Sequence, residues 1–146
     1  MTEPAECTVL LVDDEEEFTT ALAERLEMRG LRVETAASGE TALAKAQARG
    51  FDAILLDMAM PGMDGLQTLR GLLAINADLQ IILLTGRATL AQAVEAMKLG
   101  ALDLLEKPAA IDTLVRKIDD AARRHWALRD KRVAQRMDDI LHKKGW

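Results

Sequence analysis

Five polar residues follow closely on short apolar runs: Asp13 and Asp14 after the first run, Asp57 after Ala53–Leu56, Thr85 after Ile81–Leu84, and Lys107 behind Leu102–Leu105. Brought into one crevice, three carboxylates repel one another and raise at least one pKa, unless a cation lies among them. A hard divalent ion bound by oxygen is the economical answer. Magnesium suits it, because it accepts one or two carboxylates and completes its shell with water and phosphate oxygens. A metal, the Lys107 ammonium and the Thr85 hydroxyl around one carboxylate are the parts that set a phosphoryl group in line with an attacking Asp oxygen. On that reading Asp57 is the nucleophile.

Taken singly, each residue has a plainer explanation. An Asp-Asp pair after a strand is often a helix N-cap. Asp57 precedes Met60-Pro61-Gly62-Met63-Asp64-Gly65, a segment dense in turn formers. Thr85-Gly86 can simply end a strand, and Lys107-Pro108 can start a helix. Their joint occurrence at four strand ends is what favours chemistry over coincidence.

The elements that carry these residues are five apolar runs, 7–12, 31–35, 53–56, 80–84 and 102–105, each followed by a helix-like stretch. Helices are expected over 16–29, from Gly39 to Arg49 behind Ser38, over 65–75, over 88–99, and from Pro108 onward, where a missing N–H is harmless. Gly30, Gly50 and Gly100 read as C-terminal stops. Strands alternating with helices imply a mostly parallel sheet covered on both faces, since parallel neighbours need crossovers. The fully apolar third and fourth runs agree with strands buried on both sides. In such doubly wound α/β folds the site forms at the carboxyl ends of the strands, where the strand order reverses.

Composition sets the limits. The chain has 146 residues, 49% hydrophobic but 3% aromatic, and carries a net charge of −5. That length suits one domain with a core that needs no staples. Cys7 is the only cysteine, which excludes an internal disulfide or a thiolate zinc site and fits a reducing cytosol. No apolar run approaches the roughly 20 residues of a membrane-spanning helix, and the acidic start shows neither signal nor transit peptide, so a cytoplasmic location is expected. Charge is divided along the chain, −10 over residues 1–120 and +5 over 121–146.

The motifs Val9-Leu10-Leu11-Val12-Asp13-Asp14-Glu15, Leu55-Leu56-Asp57-Met58-Ala59-Met60-Pro61-Gly62-Met63-Asp64-Gly65, Leu83-Leu84-Thr85-Gly86 and Leu104-Leu105-Glu106-Lys107-Pro108 resemble the receiver domain of two-component response regulators. The resemblance runs from residue 7 to about 120. It implies a flavodoxin-like, five-stranded parallel sheet in the order 2-1-3-4-5. It also implies a phosphorelay role in signal transduction, with Asp57 as phosphoacceptor for a sensor histidine kinase or a phosphotransfer protein. Asp13 and Asp14 resemble the acidic pair that holds Mg2+, together with Asp57 and the main-chain carbonyl of Ala59. Thr85 corresponds to the switch hydroxyl and Lys107 to the phosphate-pairing lysine, with a cis bond expected before Pro108. Leu104 occupies the position where many of these domains have a switch aromatic, and Ala59 and Arg87 stand where the family tunes phosphate lifetime.

The division expected is a tail over 1–6, the receiver over 7–120, and a basic amphipathic helical extension over 121–146. Residues 109–143 contain neither Pro nor Gly. The stripe Ile111, Val115, Ile118, Ala122, Trp126, Arg129, Val133, Met137 and Ile140 follows helical spacing and needs a cover. That cover is the chain's own domain, a second copy or a partner helix, while Arg123, Arg124, Arg129, Lys131 and Arg132 leave open a weak reading of nucleic-acid or membrane contact, without a DNA-reading motif.

Two other functions compete with a phospho-accepting switch that binds a downstream target. An aspartyl-phosphate phosphatase usually has a second carboxylate two residues past its nucleophile, where this chain has Ala59. A phosphorylation-independent interaction module would have a degenerate acidic site, and all five residues are present. No nucleotide-cradling Gly-Lys loop or dinucleotide fingerprint occurs. The expectation is a signalling switch whose only catalysis is its own phosphoryl acceptance and hydrolysis.

Overall fold

The computed structural model describes residues 7–60, 62–86 and 89–143. The expected features at Pro61, Arg87, Ala88 and the two termini lie outside them. Strands and helices alternate as β1 (Thr8–Val12), α1 (Glu16–Glu27), β2 (Arg32–Ala36), α2 (Gly39–Ala48), β3 (Ala53–Leu56), α3 (Gly65–Ile75), β4 (Ile81–Thr85), α4 (Leu90–Leu99), β5 (Asp103–Glu106) and α5 (Ile111–Lys143). All strand pairs are parallel, in the order β2-β1-β3-β4-β5. This is the doubly wound α/β fold expected from the sequence.

Side chains of successive strand residues point to opposite faces, and both faces are covered. Leu10, Val12, Ile54, Leu56, Ile81 and Leu83 pack against Ala42, Leu69, Leu72 and Ala96 from α2, α3 and α4. Val9, Leu11, Ala53, Leu55, Ile82 and Leu84 pack against Leu22 and Leu26 of α1 and Leu114, Ile118, Ala121 and Ala122 of α5. Every residue of β3 and β4 is buried, which is why those runs carry no alternation.

Local signals set the helix ends. The Ser38 hydroxyl accepts from Thr41 N–H at 3.1 Å to cap α2. Asp64 with Gln67 and Thr89 with Gln92 form capping boxes on α3 and α4, two start signals the sequence reading had not used. Gly30 and Gly100 adopt positive φ, 90° and 116°, beyond α1 and α4. Gly50 does not act as a left-handed stop: Arg49 already leaves α2 in extended backbone, leading into the buried Phe51 that anchors the approach to β3.

Pro108 does not open the last helix. The Lys107–Pro108 bond is cis, and α5 starts at Ile111, with Leu114 N–H donating to the Ala110 carbonyl at 3.0 Å. A chain leaving β5 at the sheet edge must reverse before it can lie across the face, and residues 107–110 make that reversal. α5 then runs for 33 residues, about 50 Å at helical rise. Its apolar stripe is covered only as far as the half-buried Trp126; Val133, Met137, Ile140 and Leu141 are exposed. No helix among the described residues is long and apolar enough to cross a membrane.

Candidate functional site

Ladder hydrogen bonds carry the sheet one residue past its strands and thereby aim the site. Asp13 N–H donates to Ala36 O at 3.0 Å and Asp57 N–H to Val12 O at 2.9 Å, while Lys107 N–H reaches Thr85 O at 2.9 Å. Because β1, β3, β4 and β5 are parallel and adjacent in the β1-β3-β4-β5 part of the sheet, all their carboxyl ends open on one edge.

Asp13 performs two tasks there. Its Oδ1 accepts from Glu15 N–H at 2.9 Å, a local turn that leads into α1, and its Oδ2 accepts from Lys107 Nζ at 2.6 Å. The plainer reading of the pair as a helix N-cap does not hold: Glu15 is the N-cap of α1, no side chain caps that helix, and Asp13 makes only the local turn. Asp13, Asp14 and Asp57 bring one carboxylate oxygen each to within 4.8 Å of one another, Asp13 and Asp57 buried and Asp14 exposed. These donors are oxygen only, with two buried charges, and that set fits a hard divalent cation of the Mg2+ or Ca2+ kind.

Burial raises the Asp57 pKa above its ordinary value, and the Asp13 charge adds to it; the Lys107 ammonium and a hydrogen bond from the Ala59 backbone oppose this without cancelling it. Burial lowers the Lys107 pKa, but bonds to Asp13 and Glu15 outweigh it and leave the ammonium more firmly protonated than usual. Lys107 Nζ lies 3.0 Å from Glu15 Oε1 and 4.0 Å from Asp57 Oδ1. The cleft has a volume of about 320 Å³ and is lined by Asp14, Glu15, Asp57, Ala59, Thr85, Gly86 and Lys107.

Asp13, Asp14, Asp57, Ala59, Thr85 and Lys107 therefore meet at one edge. Leu104 does not join them: it packs, partly buried, against the cluster on the α2-α3-α4 face. The sequence reading had given no site role to Glu15, Phe18 or Gly65. Glu15 and Phe18 are three residues apart at the start of α1 and both contact Lys107. Gly65 lets the loop after Asp57 close on itself: a Cβ there would overlap Met58 Cα and come within 2.8 Å of the Asp57 carbonyl oxygen.

The strand order, and an acidic cluster at its reversal, define a flavodoxin-like α/β protein with a carboxylate cluster at the carboxyl edge of its sheet. Comparison with known proteins narrows that class: the response regulator receiver domain family matches residues 9–119, and the chain belongs to it. It is thus a receiver domain of a two-component response regulator. It is 36% identical over 129 residues to the C4-dicarboxylate transport transcriptional regulatory protein DctD of Rhizobium meliloti, which covers 88% of this chain and 28% of that protein. The chain thus spans little more than a quarter of this relative. A response regulator receiver domain from Clostridium thermocellum superposes with a TM-score of 0.79 at 32% identity, covering 84% of this chain and 98% of that one. A response regulator protein from Burkholderia pseudomallei, solved with a phosphorylated aspartic acid, calcium ion and citrate, gives a TM-score of 0.74 at 29% identity over 95% of this chain and 86% of that one.

Proposed function

We propose that this receiver takes a phosphoryl group onto Asp57 from the phosphohistidine of a sensor histidine kinase or a phosphotransfer protein, and that the phosphorylated form presents an altered surface to a downstream target. The observation that carries the reading is the meeting of Asp13, Asp14 and Asp57 within 4.8 Å with the Lys107 ammonium beside them. A bound phosphorylated aspartate and calcium ion in the Burkholderia relative agree with it.

In the proposed transfer, an Asp57 carboxylate oxygen attacks phosphorus, the phosphorus–nitrogen bond of the donor breaks, and the imidazole leaves with the electron pair. Asp13, Asp14, Asp57 and the Ala59 carbonyl are the residues that would hold Mg2+, which when bound supplies positive charge to the phosphoryl oxygens. Lys107 supplies the second positive charge. Buried Thr85 donates its hydroxyl to the phosphoryl group, drawing on the segment between β4 and α4. The phosphoryl group adds about two negative charges. Moving an equilibrium from 1:99 to 99:1 takes about 5.5 kcal/mol, within reach of a few hydrogen bonds to charged groups at about 1.5–3 kcal/mol each. Leu104 brings no ring or hydroxyl to the response, so its coupling proceeds through repacking on the α4 side. Arg87, with Ala59, is assigned to tuning the lifetime.

The receiver unit is assigned to 7–120 and the extension to 121–146, whose exposed Val133, Met137 and Ile140 serve self-association or a partner helix. A cytoplasmic location is assigned along with the two-component reading.

Incubation with a small-molecule phosphodonor and magnesium, read by intact mass, should give one adduct per chain, and none in Asp57→Asn. Many phosphates released per chain would favour a phosphatase, and no labelling would favour a phosphorylation-independent module.

A further inference from the structure

Lys107 is not aimed at Asp57. Its Nζ donates to Asp13 Oδ2 at 2.6 Å and to Glu15 Oε1 at 3.0 Å, and it lies 4.2 Å from the centroid of the Phe18 ring. Asp57 Oδ1 is 4.0 Å away, beyond hydrogen-bond reach. An ammonium has three protons, and two of these are committed to carboxylates. The third is uncommitted, but Nζ stands 4.0 Å from Asp57 Oδ1, and closing on Asp57 draws it off the position that serves those two bonds.

The two carboxylates differ in how easily they let go. The Asp13 side chain is 2% exposed, and a carboxylate left there without its cation is strongly disfavoured. The Glu15 side chain is 65% exposed, so water takes over its oxygen as soon as the lysine leaves. The Phe18 ring attracts the ammonium over a range of about 6 Å, with no hydrogen bond to be broken. A shift from Glu15 toward Asp57 therefore keeps Lys107 over the ring. Glu15 is the N-cap of α1 and Phe18 lies in its first turn, and the two reach Lys107 together.

We propose that Phe18 and Glu15 are positioning residues for Lys107: the ring keeps the ammonium within reach of Asp57, and Glu15 holds it aside until a phosphoryl group draws it over. This rests on Lys107 being the phosphate-pairing residue. Phe18 acts by attraction in both arrangements, and Glu15 competes only in the resting one. Their substitutions thus push in opposite directions.

The test is calorimetric titration of the full chain, in saturating magnesium, with beryllofluoride as a mimic of a carboxylate-bound phosphoryl group. Phe18→Leu should weaken binding about three- to tenfold, and Phe18→Tyr, which keeps the ring, should stay within about twofold of the parent chain. Glu15→Gln, at an exposed position that leaves the fold intact, should tighten it by about twofold to fivefold. Magnesium affinity measured alone should change less than about twofold in Phe18→Leu, and neither substitution should matter once Lys107→Ala is present. Loss of binding in Phe18→Tyr, weaker binding in Glu15→Gln, or effects that persist without Lys107 would each overturn the proposal. Undiminished binding in Lys107→Ala alone would instead overturn the role of the lysine on which it rests.

Discussion

Trp126 Nε1 donates to Asp52 Oδ1 at 2.7 Å, joining residues 74 positions apart at the amino edge of the sheet, opposite the acidic cleft. The same carboxylate accepts from Thr8 N–H at 2.9 Å and has His125 Nδ1 at 3.1 Å. Six residues beyond Trp126, Arg132 pairs with Asp78 in the turn before β4. Together these contacts set the direction in which α5 leaves the domain.

A first prediction concerns that clasp. Burial pushes the Asp52 pKa up, but hydrogen bonds from His125, Thr8 N–H and Trp126 outweigh it and hold the carboxyl below its ordinary value of 3.8. A depressed folded-state pKa means stability that is present above 3.8 and lost as pH falls through the folded value. Asp52→Asn should therefore lower unfolding free energy by about 1–3 kcal/mol at neutral pH. In urea melts the gap to the parent chain should shrink below about pH 4. A gap constant down to pH 3 would show that α5 binds something other than the ionised carboxylate.

Gly65 should be intolerant for a steric reason. Its Cβ would meet the backbone of Met58 and the carbonyl of Asp57, neither of which can swing aside. Gly65→Ala is expected to cost about 1–3 kcal/mol and to weaken magnesium binding by displacing Asp57. Gly50 has open space around it and no positive φ, so Gly50→Ala should be neutral or stabilising by up to about 1 kcal/mol. Chemical denaturation and magnesium calorimetry on the pair would reveal equal effects if sterics were not the cause.

Cys7 should be inert while the chain is folded. Burial pushes its thiol up to about 12, helped by the charges of Asp52 and Asp119. Alkylation at pH 8, followed by mass, should be slower than in urea by about a hundredfold or more. Since the folded thiol titrates above its unfolded value of 9.0, stability should also decline as pH rises past 9.0. Prompt labelling of the native chain would contradict the buried placement.

The two halves of α5 should respond differently. Ile118 is fully buried, and Ile118→Ala should cost about 2–5 kcal/mol. Met137 is 58% exposed, so Met137→Glu should change stability by less than about 0.5 kcal/mol. Val133, Met137 and Ile140 are proposed to serve self-association or a partner helix; if a second copy covers them, Met137→Glu should also reduce dimer content in sedimentation velocity, and unchanged dimer content would favour the partner helix. A large loss of stability in Met137→Glu would mean that the extension folds back on its own domain.

Much of this molecule is legible in its sequence, and for identifiable reasons. The runs at 53–56 and 81–84 are apolar throughout because both sheet faces are covered, which marks a parallel sheet from residue types alone. Asp13, Asp57, Thr85 and Lys107 could be picked out because in such a sheet a strand end is a position in space as well as in sequence. The helix ends were less legible. Arg49 departs α2 without help from Gly50, and Pro108 lies in a reversal rather than in the helix it precedes.

Periodicity and strand-end residue types, which are local properties, were sufficient for the alternation of strands and helices, the buried sheet and the group of residues at its carboxyl edge. Tertiary structure alone decided that Lys107 rests on Asp13, Glu15 and Phe18 rather than on Asp57, that Gly65 lies against Met58, and that the α5 stripe loses its cover beyond Trp126. Each of those depends on an interatomic distance between elements set side by side by packing, and no spacing along one chain encodes such a distance.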